Sequence, residues 1–135
     1  MKYDVILAGV GGQGVISVAA IIAKAALNEG FAVRQSEVHG MAQRGGSVLA
    51  HLRISDETIA SDLVPKGCAD LIISMEPLES LRYGAWLSPN GALVSSADPL
   101  VNISNYPEMD GIIASIGNAQ MGQYRSSPLR HTVNL

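Results

Sequence analysis

The chain has a single cysteine, Cys68, and few aromatic residues, 4% of 135. One thiol forms no internal disulfide and cannot supply the four thiolates of an iron–sulfur cluster. If redox chemistry takes place, the electrons travel through another group, and Cys68 reads as a small residue in a turn. The shortage of rings argues against stacking platforms for bases. Basic clusters are also missing: nine Lys and Arg stand against twelve acids for a net charge of -3, a poor match to nucleic acid or a membrane surface. No apolar stretch reaches the length of a spanning helix, because Gly30 and the polar residues near it close the longest one. The N-terminus offers one Lys and a short apolar run, which does not fit a signal peptide, so the expected location is cytoplasmic.

What is present is aliphatic. With 47% hydrophobic residues, the core must be built from Val, Ile, Leu, Ala and Met. A chain of this length makes one domain that buries about two-thirds of its unfolded surface. It is organised around Gly9-Val10-Gly11-Gly12-Gln13-Gly14, which follows the apolar run Val5 to Ala8 and opens an alanine- and isoleucine-rich segment. Strand, glycine turn and helix are the context that gives G-x-G-x-x-G its meaning. Gly9, Gly11 and Gly14 fit a sharp turn, close approach of backbone to a ligand, and close packing of helix on sheet. Unpaired N–H groups at the helix start make an anion site worth up to about 2 kcal/mol, so a phosphate fits there. The plainer alternative is that the glycines only allow tight packing.

Tyr3 to Ala8 reads as a strand buried on both faces. Val15 to Leu27 is a helix apolar almost all round, with Ser17, Lys24 and Asn28 as a thin polar stripe; it should be covered on most sides by this chain or a partner. Gly30 ends it. Phe31 to Ser36 is a second strand, expected to pair parallel to the first through a right-handed crossover. Glu37 at its end either binds a ribose, as an acid does in dinucleotide folds, or pairs with a base such as Arg44. Val38 to Gly46 must be a loop, with three glycines and no periodicity. There Gln43 and Arg44 stand on the ligand side, Arg44 suited to a phosphate or carboxylate, while His39 either titrates or caps a turn.

Ser47 to Ile54 alternates and predicts a strand with a wet face of Leu49, His51 and Arg53, in a hairpin with Thr58 to Ala60. Pro65-Lys66-Gly67 is a turn. Leu71 to Ile73 is an apolar strand, Glu76-Pro77 starts a short helix, Ser88 to Gly91 is a turn, and Ala92 to Ser95 is a buried strand. Glu76 is explained by the helix dipole. Val101 and Ile103 suggest a short strand, and Met109 to Ile116 a helical turn or two. Residues 1–116 carry seven bases against twelve acids, whereas 117–135 hold two Arg and no acid. The expectation is therefore a domain over 1–116 and an atypical polar tail over 117–135.

Together these elements predict an α/β, Rossmann-like three-layer sandwich with a mostly parallel sheet and an antiparallel hairpin. The glycine turn, the run Ser36-Glu37-Val38-His39-Gly40-Met41-Ala42-Gln43-Arg44-Gly45-Gly46-Ser47-Val48, and Ala69-Asp70 leading to Met75-Glu76-Pro77 carry a resemblance over roughly residues 3–113. In these the chain resembles the gamma-type component of the 2-oxoacid:ferredoxin oxidoreductases, on the side of their indolepyruvate-type small subunits. The resemblance implies a complex that oxidatively decarboxylates an arylpyruvate, joins the acyl group to coenzyme A and passes electrons to ferredoxin. It implies a large partner subunit that holds thiamine diphosphate, magnesium and the iron–sulfur clusters. On this chain it implies no catalytic residue and no metal ligand. No cofactor is expected on this chain alone; Gly9, Gly11, Gly12, Gln13, Gly14, Glu37, Gln43 and Arg44 would face the partner, where they either help bind coenzyme A at the subunit interface or shape the active-site cleft. Two readings stand beside it: a free-standing NAD-binding protein, which lacks an identifiable catalytic set, and a purely structural subunit.

Overall fold

The structure, a computed structural model, describes residues 1–40 and 45–119, without the side chains of 117–119. The elements are β1 (Lys2–Val10), α1 (Val15–Asn28), β2 (Ala32–His39), β3 (Ser47–Ser55), β4 (Ala69–Ser74), α2 (Pro77–Arg82), β5 (Leu87–Ser95) and α3 (Met109–Ala119). One sheet holds all five strands in the order β2-β3-β1-β4-β5. β1 pairs parallel to β4 and β4 to β5, whereas β3 runs antiparallel to both β1 and β2. Four strands thus point one way and β3 points against them. No helix among the described residues is long and apolar enough to cross a membrane.

Alternate side chains of the inner strands feed two cores, because successive residues of a strand point to opposite faces. Val5, Leu7, Val48, Ala50 and Leu52 meet Val15, Ala19 and Ala23 of α1. Ile6, Leu49, Ile72 and Leu93 meet Ile112 and Ile116 of α3, with Leu78 and Leu81 of α2 alongside. Each fully buried aliphatic side chain contributes about 1.5–3 kcal/mol. The result is the three-layer sandwich expected, with α1 on one face and α2 and α3 on the other.

Both ends of α1 are set by left-handed glycines. Gly14 enters at φ 84° and Gly30 leaves at φ 86°. At the exit the Gly30 N–H donates to Leu27 O at 3.0 Å and the Phe31 N–H to Ala26 O at 3.1 Å. That double closure satisfies the last carbonyls and stops the helix where Gly30 predicted. The helix is less covered than its composition suggests: Ile21 is 69% exposed and Leu27 58%. α1 lies over β1, β2 and β3, so β5, at the far edge, turns Val94 outward.

Two pairings differ from expectation for one reason. β2 does not pair with β1, because β3 lies between them in register with both: Glu37 faces Ala50, and Ala50 faces Leu7. The antiparallel hairpin is therefore β2–β3, closed by Gly40 N–H to Ser47 O at 2.9 Å, and not a pairing of residues 47–54 with 58–60. With β1 on one side and β2 on the other, β3 has no free edge for Thr58 to Ala60. Its supposed wet face is buried because α3 and residues 61–64 lie over it, Leu49 packing in the α3-side core and His51 accepting the Val64 N–H. At the far edge, Ser88 to Gly91 is not a separate turn. It is a bulge inside β5, whose register moves from Ala69↔Leu87 to Leu71↔Ala92, and only Leu93 of the apolar run is a core residue. Val101 and Ile103 form no strand and are exposed, and α3 is longer than the turn or two expected.

Arg53 organises the amino end of the sheet. Its Nε donates to Asp4 Oδ1 at 2.9 Å and its Nη2 to Oδ2 at 3.2 Å, while Nη1 reaches the carbonyls of Ser61 and Leu63. Asp4 is fully buried and also meets Lys2 Nζ at 3.1 Å. This pins residues 61–63 beneath the sheet, where the Val64 N–H donates to Nδ1 of buried His51 at 3.1 Å. Burial first, and the Arg53 charge second, hold the His51 pKa below its ordinary 6.5. A neutral ring in the folded state means that its contribution is complete above that ordinary value and is lost as pH falls through the lower folded value. Urea titrations from pH 7.5 to 5 should therefore show stability falling with acid. His51→Asn, which keeps an acceptor near Nδ1, should flatten that slope relative to the parent.

Candidate functional site

The carboxyl ends of β1 and β4 and the two loops beside them gather most of the residues that the sequence singles out. Gly9 has no room for a side chain. A Cβ there would stand 2.6 Å from Val15 Cγ2, 3.0 Å from Gln13 Oε1 and 3.1 Å from Met75 Cβ. Its role is the close packing of helix on sheet. Gln13 sits under the turn: Val10 N–H donates to Gln13 Oε1 at 2.8 Å, and Gln13 Nε2 donates to Met75 O at 3.3 Å. The side chain thus ties the turn to the end of β4.

Gly11 is also engaged, its N–H donating to Gly46 O at 2.8 Å. Gly12 and Gly14 differ from it. Both have positive φ, 93° and 84°, and nothing among the described residues comes within 4 Å of an added Cβ. No side chain caps the start of α1, and its first turn carries no acid. Open glycine backbone before an uncapped helix start leaves N–H groups and a positive dipole end for an anion.

Glu37 stands farther out. It shares the α1 face of the sheet with Ala50 and Leu7, two strand spacings from β1, about 10 Å. In a dinucleotide fold the second strand neighbours the first, so the ribose acid stands one spacing from the glycine turn. The insertion of β3 removes that geometry. Glu37 is half-exposed and lies 4.0 Å from His39 Nε2. Gln43 and Arg44 lie outside the described residues.

Sequence reasoning missed a second group of residues at this edge. Glu76 is buried at the start of α2, where its Oε2 accepts the Glu79 N–H at 3.0 Å. Its Oε1 accepts the Leu100 N–H at 3.3 Å and the Tyr106 hydroxyl. Burial, then the bond to Glu76, push the Tyr106 pKa upward. Glu79, also buried, accepts Ser47 Oγ at 2.6 Å, and Ser47 Oγ lies 2.7 Å from the Tyr83 hydroxyl. Asn102 Nδ2 donates to Gly45 O at 2.7 Å and joins the 96–108 segment to the glycine loop. Glu76-Pro77 was legible as a helix start with a carboxylate at its positive end. The distant partners of Glu76 and Glu79 were not, being 24 to 32 residues away in the chain.

The two kinds of glycine predict different costs. Gly9→Ala should destabilise the fold by about 1–3 kcal/mol through overpacking alone. Gly14→Ala should cost about 1–2 kcal/mol through its left-handed backbone and leave the packing unchanged. Urea denaturation measures both, and a further Val15→Ala substitution should rescue Gly9→Ala but not Gly14→Ala.

Residues 4–125 match the family described as pyruvate ferredoxin/flavodoxin oxidoreductase. The chain is 40% identical over 122 residues to the indolepyruvate oxidoreductase subunit IorB of Archaeoglobus fulgidus, covering 86% of this chain and 60% of that protein. It is also similar to the gamma subunit of keto/oxoacid ferredoxin oxidoreductase from Geobacter sulfurreducens, with a TM-score of 0.59 and 28% identity over 73% of this chain and 53% of that one. The 2-oxoglutarate:ferredoxin oxidoreductase of Magnetococcus marinus, solved with 2-oxoglutarate, coenzyme A and succinyl-CoA bound, shares the fold at a TM-score of 0.64 and 21% identity, over 79% of this chain and 18% of that chain. The chain thus spans only part of the length of these relatives. By its glycine turn, its sheet and this match over most of its length, the chain belongs to the pyruvate ferredoxin/flavodoxin oxidoreductase family.

Proposed function

We propose that this chain is the non-thiamine component of a 2-oxoacid:ferredoxin oxidoreductase that acts on indolepyruvate or a related arylpyruvate. The observation that carries the reading is the 40% identity to an indolepyruvate oxidoreductase subunit across 86% of the chain. In the overall reaction the 2-oxoacid loses its carboxyl group as carbon dioxide, the acyl group passes to the coenzyme A thiol, and two electrons pass to ferredoxin. Thiamine diphosphate, magnesium and the iron–sulfur clusters belong to the large partner subunit, and this chain contributes binding surface in the cytoplasm. We assign that surface to the domain over 1–116.

Coenzyme A fits the carboxyl edge on physical grounds. Its diphosphate is an anion, and the open backbone at Gly12 and Gly14 with the uncapped start of α1 admits one. Gly9, Gly11 and Gln13 hold that turn rigid from behind. Glu37, Gln43 and Arg44 would face the ligand or the partner from the hairpin loop, Arg44 as a fork for a phosphate. Binding a group at a rigid backbone site costs little ordering when it arrives, which favours catalysis in the assembled enzyme.

The NAD-binding alternative is disfavoured by the position of Glu37, one strand too far from the turn. The decisive test is to co-express the chain with its large subunit and to measure coenzyme A-dependent reduction of a viologen dye with indolepyruvate, with and without the chain. Activity that requires the chain is expected, and equal activity without it sinks the reading. In the active complex, Arg44→Ala should raise the KM for coenzyme A about tenfold with little change in kcat, the mark of lost binding that ground and transition states share.

A further inference from the structure

Ser47, Glu79 and Tyr83 form a hydrogen-bonded set that the binding of coenzyme A does not itself use. The direction of its bonds follows from chemistry. A carboxylate only accepts, so the one Ser47 proton goes to Glu79 Oε2 at 2.6 Å. The 2.7 Å contact is then the Tyr83 hydroxyl donating to Ser47 Oγ. Ser47 is held from two sides.

What it holds is the backbone of the glycine turn. Ser47 O accepts the Gly40 N–H at 2.9 Å and closes the hairpin, while the neighbouring Gly46 O accepts the Gly11 N–H at 2.8 Å. Glu79 therefore reaches Gly11 in three steps: side chain to Ser47, one peptide unit to Gly46, and one hydrogen bond to Gly11. A second, less direct tie to the start of α2 runs from Gly45 O through Asn102 Nδ2 and, by way of the Leu100 N–H, to Glu76 Oε1.

The cost of Glu79 points the same way. It is 4% exposed, and its ion-pair partner among the described residues is Arg82 at 3.3 Å, whose side chain is 54% exposed. An apolar residue would hold a helix to a sheet as well, without a carboxylate to desolvate. A buried acceptor is needed where a hydroxyl must be oriented.

We propose that Ser47, Glu79 and Tyr83 are positioning residues that press Gly46 O against the Gly11 N–H and so fix the open amides around Gly12 and Gly14 for an anionic ligand. The proposal rests on the reading that this turn faces coenzyme A, and two measurements separate the two ideas. The first is amide hydrogen exchange of the full chain followed by NMR. Glu79→Ala should speed exchange at Gly11 about tenfold, while Met75 N–H, which donates to Ala8 O at 2.8 Å, keeps its rate. Glu79→Gln, which retains an acceptor for Ser47, should restore most of the protection. Ile72→Val in the core is the control for general loosening and should move both amides alike. The second measurement is the KM for coenzyme A in the reconstituted complex, expected to rise about tenfold for Glu79→Ala with kcat within about twofold of the parent. Exchange at Gly11 no faster than at Met75 would overturn the positioning role. Faster exchange with an unchanged KM would support the positioning role and overturn coenzyme A as the ligand of the turn.

Discussion

The close approach at Gly9 is the constraint from which the rest of the structure follows. Strand β1, helix α1 and the end of β4 meet there within the space that a single methyl group would fill. Because Gly9 lacks that group, Val15 packs directly on the strand and brings Ala19 and Ala23 onto the sheet behind it. The same approach brings Gln13 under Val10 and Met75, so that the turn is fixed to two strands at once. Packing density and the shape of the glycine turn are thus one problem with one solution.

The two ends of the sheet use buried charge differently. At the amino end, Asp4 is met bidentately by Arg53 and also by Lys2, and the arrangement fixes residues 61–63 beneath the sheet. Bidentate, fully hydrogen-bonded geometry is what allows such a pair to be buried without a large net penalty. At the carboxyl end, Glu76 and Glu79 are answered mostly by hydroxyls and backbone N–H groups. Those partners belong to the segments on either side of the glycine turn. The first cluster fixes a loop beneath the sheet, and the second joins β3, α2 and the 96–108 segment beside the glycine turn.

Strand order decides how the glycine turn is to be read. A strand, a G-x-G-x-x-G turn, a helix and a second strand ending in an acid fit a dinucleotide site when the two strands are neighbours. Here β3 comes back antiparallel and takes the place beside β1. The turn keeps its open backbone and uncapped helix start, since these depend only on local geometry. The acid loses its relation to the turn, since that depends on the lateral order of the sheet.

The sequence by itself determined the elements whose causes are local. The apolar run of β1, the left-handed exit at Gly30, the Pro77 helix start and the three-layer class were all legible, because each depends on neighbours within a few residues. The roles within the glycine turn were not: the spacing points to Gly14 for packing of helix on sheet and Gly11 for close approach to a ligand, whereas Gly9 is the packed position, the Gly11 N–H is bonded to Gly46 O, and Gly14 is open. Only the tertiary structure decided which strand lies beside β1, why Leu49 and His51 are buried, that Gln13 props the turn from below, and that Ser47 meets Glu79 and Tyr83. Each of these joins residues far apart in the chain, through pairings whose energies are nearly alike in several arrangements. Local periodicity does not rank those arrangements; the competition for the two edges of β1 does.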